Sequence, residues 1–133
     1  VLATETDPGL KPASVDLVLM VDVYHELFEP EPVLRAVHRS LKREGRLVLV
    51  EFRAEDPNVP IRPLHKMTQA QVLKELTANE FKLVGQFDEL PWQHILFFAP
   101  EEAPIEGRKL IPWRPGATES RPPAASPPAP AAK

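Results

Sequence analysis

Five apolar residues in unbroken succession, Leu17 to Val21, give way at once to Asp22, Tyr24, His25 and Glu26. A run this continuous and this short does not suit a strand with one wet face. It suits a strand, about Val15 to Val23, buried on both faces as in a parallel sheet with helices on each side. That requirement points to an α/β architecture. It also points to a site, because ligands of open α/β sheets sit just past the carboxyl ends of the strands. The polar cluster from Asp22 to Glu26 stands at such an end.

Together with this strand, residues 29–52 have the order of a βαβ unit. Glu29-Pro-Glu-Pro32 opens a helix, since Pro is tolerated in the first turn and carboxylates there complement the positive helix end. Leu34, Val37, His38 and Leu41 make one apolar stripe. Lys42 and Arg43 are placed for the negative end of the helix, and Gly45 for its stop. Arg46 to Phe52 is a second buried-type strand, which again ends in charge at Glu51, Arg53, Glu55 and Asp56. His38, on the apolar stripe, reads as packed core.

Pro57 to Pro63 is a Pro-interrupted loop that leads to His65 and Met67. Thr68-Gln-Ala-Gln71 reads as a capping box, with Gln71 reaching back to the start of a helix that runs to about Ala78. Asn79 is then a left-handed cap. Phe81 to Phe87 alternates as an edge strand should, and His94 to Ala99 is a last strand. Their short connector makes the two antiparallel. Upstream, Val1-Leu-Ala resembles the end of a strand, with a turn over Thr4 to Asp7. From 101 to 133 Pro, Ala and Ser dominate, and about half of the 17 Pro residues lie from Pro100 onward. Such a segment buries too little surface to offset its ordering entropy and is expected to be a disordered tail. Leu110, Ile111 and Trp113 are the residues in it that could dock on the domain.

Composition narrows the function classes. A formal net charge of −3 offers no electrostatic reason to expect nucleic acid. No stretch approaches the roughly 18–20 apolar residues that span a bilayer. Cys is absent, which excludes disulfides, thiolate chemistry and Cys-based zinc sites. A chain that opens at Val1 without Met is expected to lack the start of its domain, so no signal segment can be read from it and the compartment stays open.

The Pro-opened helix closed by Leu41-Lys-Arg-Glu-Gly-Arg-Leu-Val-Leu-Val-Glu51, the second helix and the final strand pair together resemble the C-terminal half of class I S-adenosylmethionine-dependent methyltransferases. Val21-Asp-Val-Tyr-His-Glu26, Leu64-His-Lys-Met67 and Pro91-Trp-Gln-His94 are similar to local signatures of its small-molecule enzymes. The resemblance covers residues 1–100. It implies a partial Rossmann-like sheet, S-adenosyl-L-methionine as cofactor and a small-molecule methyl acceptor. Two parts of the family pattern do not occur: the glycine-rich loop after its first strand and the acidic residue that grips the ribose. The resemblance therefore implies a piece that binds the cofactor weakly and is inactive alone. It further implies that Thr4 and Glu5 lie where the family contacts the adenine and that Val21, Asp22 and Val23 flank the methionine moiety. Tyr24, His25 and Glu26 would face the acceptor. Leu41 to Gly45 replaces the usual Lys-Pro-Gly-Gly turn, and Glu80 stands where the family has Gly.

Methyl transfer is an in-line displacement at a sulfonium carbon, so the enzyme's main work is positioning. A neutral acceptor also needs a base, and an imidazole titrates near neutrality, which makes His25 the candidate with Glu26 or Asp22 orienting it. Glu51, His65 and His94 complete the candidate acceptor rim. No His-Glu-x-x-His or comparable spacing occurs, so no metal is expected. Two other functions compete. Asp16 to Asp22 is similar to the strand that presents the phosphoacceptor aspartate of receiver-type signalling domains, with Asp22 in that role, and the half-fold could also be a non-catalytic interaction module. In a chain without the family's first half, the apolar edge of the central strand is unpaired, and self-association through it is expected.

Overall fold

The structure, a computed structural model, describes residues 1–116. The strand at the centre of the sequence argument is β1, Val15–Val21, and Pro30–Ser40 forms α1. Strand β2, Leu41–Arg53, begins directly at the end of that helix. After the Pro-rich loop come β3 (Lys66–Met67), α2 (Gln69–Ala78), β4 (Phe81–Phe87) and β5 (Gln93–Pro100). The strands form one sheet in the order β1-β2-β5-β4, with β3 paired to the end of β2. β1 and β3 run parallel to β2, whereas β5 runs antiparallel to both β2 and β4. This is the mixed α/β sheet expected, with the parallel βαβ unit first and the antiparallel pair last.

One face of the sheet is covered by both helices. Val33, Leu34 and Val37 of α1 and Val72 and Leu76 of α2 share a core with Leu47, Leu49, Leu96 and Phe98. Each such large apolar side chain contributes about 1.5–3 kcal/mol through burial. The expectation of helices on both sides of β1 fails here. Leu17, Leu19 and Val21 alternate onto the opposite face and remain half exposed, at 56%, 56% and 47%. Register places Leu19 beside Val48 and Phe97, and Val21 beside Val50 and Ile95. The apolar run is therefore built for two covered faces, of which one is covered among the described residues.

Several boundaries differ from expectation for local reasons. Helix α1 ends at Ser40, not at Gly45, and residues 42–45 form a bulge in the β1–β2 pairing, where the register jumps from Val15↔Leu41 to Leu17↔Arg46. Gly45 eases a close approach, since a Cβ there would lie 3.0 Å from the Lys42 carbonyl oxygen and 2.9 Å from Leu41 Cδ2. Thr68 does cap α2, accepting from the Gln71 amide at 3.0 Å, but the Gln71 side chain turns outward to Glu75 Oε1. The left-handed residue after α2 is Glu80 (φ 65°), not Asn79 (φ −110°). Residues 1–14 form no strand.

Residues 101–116 do not behave as a free tail. Arg108 N–H donates to the Leu83 carbonyl at 2.7 Å, Ala103 is buried, and Gln86 makes paired bonds with the backbone of Ile111. Trp113 lies over the Arg53 guanidinium at 4.7 Å. The expectation of disorder over 117–133 falls outside the described residues.

Candidate functional site

β1 ends at Val21, and Asp22 leaves the sheet in the left-handed region at φ 53°. Asp tolerates that conformation better than most residues. Both of its carboxylate oxygens accept from the Gln93 side-chain amide at 2.9 Å, which ties the end of β1 to the start of β5. The chain then makes a single 3-10 turn, Tyr24–Glu26. This turn separates two neighbours that the sequence groups together. Tyr24 is 2% exposed and joins the core, where its hydroxyl donates to Glu75 Oε2 at 2.8 Å. Burial first, and then Glu75, pushes its phenol far above the ordinary tyrosine pKa, so it stays protonated. Tyr24 accordingly does not face an acceptor pocket.

His25 sits on the rim, with its side chain 6% exposed. Glu51, near the carboxyl end of β2, is 0% exposed and points at it. One Glu51 oxygen accepts from the His25 backbone amide at 3.2 Å and the other from Nδ1–H at 2.7 Å. This two-point grip fixes the imidazole in position and directs Nε2 toward His65 and Glu26. Neither Glu26 nor Asp22 orients the ring; Glu51 does. Glu26 is 62% exposed and places Oε1 3.8 Å from Nε2.

His65 arrives from the other side. A 3-10 turn, Pro63–His65, is followed by β3, which pairs with Phe52 and Arg53. His94 supports this arrangement from beneath. It is 0% exposed and donates Nε2–H to the Met67 carbonyl at 2.9 Å. Burial holds its pKa below the ordinary histidine value. His94 thus braces β3, the strand that follows His65, and is not a wall of the rim. The result is His65 Nδ1 3.3 Å from His25 Nε2, with the rings edge to face. His25, Glu26 and His65 each offer a ligand-type atom, and these lie within 4.8 Å of one another. No sequence spacing foretells this convergence, because β3 is too short to register as a strand.

Of the cofactor-side expectations, Val21 and Val23 are half exposed beside the rim, on either side of Asp22. Thr4 and Glu5 are elsewhere. Thr4 bonds within its own turn to Asp7, and Asp7 lies 3.5 Å from Arg39 at the end of α1. That is the opposite end of the βαβ unit from Asp22, because α1 runs back against the strands. Arg53, which no sequence signal marks as part of the site, is 1% exposed. Its guanidinium donates to the Asp88, Leu90, Pro91 and Gln93 carbonyls and so holds the β4–β5 connector against Gln93 at the start of β5.

Known proteins share this fold. Residues 1–49 match the family model described as "Methyltransferase domain". A SAM-dependent methyltransferase from Aquifex aeolicus superposes with a TM-score of 0.67 at 18% identity, covering 74% of this chain and 52% of its own. A putative type 11 methyltransferase from Sulfolobus solfataricus gives 0.64 at 20%, covering 75% and 57%. The trans-methyltransferase CalH, solved with SAH, gives 0.58 at 18%, covering 71% and 33%. No curated protein sequence matches the chain. The chain spans about half the length of the first two structures it matches. It has part of the class I SAM-dependent methyltransferase fold.

Proposed function

We propose that this chain is the acceptor-side half of an S-adenosylmethionine-dependent methyltransferase acting on a small molecule. The observation that carries the reading is the Glu51–His25 pair at the carboxyl ends of two parallel strands in this fold. A buried carboxylate that grips one imidazole at two points is a device for aiming Nε2. In the proposed role, His25 presents Nε2 to the nucleophilic atom of the acceptor, with Glu26 and His65 beside it. Val21, Asp22 and Val23 flank the methionine end of the cofactor, and Gln93 holds Asp22 in place. Residues that would cradle the adenosine have no counterpart here, in keeping with the absence of any G-x-G pattern. The chain alone is therefore expected to bind S-adenosylmethionine weakly.

The receiver-domain alternative gains nothing from the structure. Asp22 has both carboxylate oxygens occupied by one amide, and its strand lies in a sheet that turns antiparallel. The test is transfer of a labelled methyl group from S-adenosylmethionine by the native gene product, with whatever precedes Val1. It would be run against a panel of small hydroxyl and amine acceptors. Transfer that Glu51→Gln lowers at least about tenfold supports the proposal. Absence of transfer to every acceptor, together with phosphate uptake at Asp22 from a small phosphodonor, overturns it.

A further inference from the structure

We propose that His25, His65 and Glu26 form a binding site for a divalent transition-metal ion of the zinc type. The geometry is that of ligands around one centre. Two ligands about 2.0–2.1 Å from a tetrahedral ion stand about 3.3–3.4 Å apart. His25 Nε2 and His65 Nδ1 are 3.3 Å apart, and Glu26 Oε1 is 3.8 Å from the same Nε2. The Glu26 side chain is exposed and unrestrained by any other ion pair among the described residues, so small torsional changes bring it in.

The support behind the first ligand points the same way. Metal-bound imidazoles characteristically donate their second N–H to a carboxylate, which fixes the tautomer and raises the basicity of the ligating nitrogen. Glu51 does this for His25 at 2.7 Å and is itself 0% exposed. Among the described residues, His25 is the sole ion-pair partner of both Glu51 and Glu26. A divalent ion at Nε2 would place a positive charge beside this pair of carboxylates. His65 is held independently, by the Pro63–His65 turn and by β3, so the two imidazoles are brought together before any ion arrives.

Three protein ligands leave a fourth position open, the arrangement of catalytic and not structural zinc sites. The open position suits an oxygen of the methyl acceptor, which the ion would bind and acidify; with the ion bound, Nε2 of His25 would act on the acceptor through the ion and not directly. In naming that fourth ligand the inference rests on the function proposed above; in the ion itself it does not.

The experiment is direct titration of the untagged 133-residue protein, after treatment with a chelator, in the absence of cofactor and acceptor. Cobalt(II) is followed by visible absorption and zinc by calorimetry. One equivalent is expected to bind, with the intense visible bands of tetrahedral cobalt(II). His65→Ala, at an exposed position where folding is not at risk, should weaken affinity at least about tenfold, and Glu51→Gln about 10–100-fold. His38→Ala, remote on α1, should leave affinity unchanged. The site is overturned if the wild-type protein shows no saturable binding, or if His65→Ala binds as tightly, with circular dichroism confirming the fold. Metal binding by this chain, with no methyl transfer to any acceptor by the native gene product, would refute the enzymatic reading alone. Undiminished methyl transfer by chelated His65→Ala protein would refute the ion's role and leave the enzymatic reading standing.

Discussion

At the residue scale, the imidazoles divide by what lies behind them. His25 is gripped by a buried carboxylate and turned toward His65; His94 is buried and committed to a backbone carbonyl. The second arrangement has a pH signature. His94 has its folded-state pKa lowered by burial, so its neutral form is the one the fold accommodates. Unfolded, it titrates near the ordinary value of about 6.5. Its contribution to stability is therefore complete above that pH and is lost as pH falls below it toward the folded-state value. His94→Gln keeps a donor for the Met67 carbonyl and removes the titration. Urea melts between about pH 7 and 5 should show the wild type losing up to about 1.4 kcal/mol per pH unit more than this variant. Parallel stability profiles would contradict the assignment. His25 and Glu51 are legible in the sequence because each stands at the end of an apolar run. Tyr24 is not, because a 3-10 turn, invisible in composition, rotates it beneath the sheet.

At the element scale, strands and helices are legible where hydrophobic period and capping chemistry agree, as in α2 from Thr68 to Ala78. The exits are less so. Gly45 looks like a helix stop but serves a bulge, where a Cβ would be crowded by the Lys42 carbonyl oxygen at 3.0 Å. Asn79 looks like a left-handed cap, yet its amide bonds to the Glu75 carbonyl and the strained conformation passes to Glu80. A left-handed conformation costs a side-chain-bearing residue about 1–2 kcal/mol, from which the extra unfolded-state entropy of Gly subtracts about 0.5–1. Glu80→Gly should therefore stabilise the protein by about 0.5–1 kcal/mol in denaturant titration. A destabilising effect would show that the exposed Glu80 side chain makes a compensating contribution.

At the scale of the whole molecule, the parallel βαβ unit and the antiparallel ending are legible, whereas the insertion of β5 between β2 and β4 and the asymmetry of the sheet are not. Sequence reports that β1 is apolar on both faces; it does not report that both helices pack on the same one. The bare face of Leu17, Leu19 and Val21, joined to an edge strand, is the surface most exposed to association. Light scattering on the 133-residue chain should find species larger than a monomer, and Leu17→Lys with Leu19→Lys should reduce them. A monodisperse wild-type monomer would contradict this.

The acceptor-side assignment of His25 is tested most directly by steady-state methyl transfer in the native gene product carrying His25→Ala, with S-adenosylmethionine and acceptor varied in turn. The account predicts that kcat falls about 100-fold or more while the KM for S-adenosylmethionine stays within about twofold. An unchanged kcat, or a loss confined to the KM for S-adenosylmethionine, would contradict it.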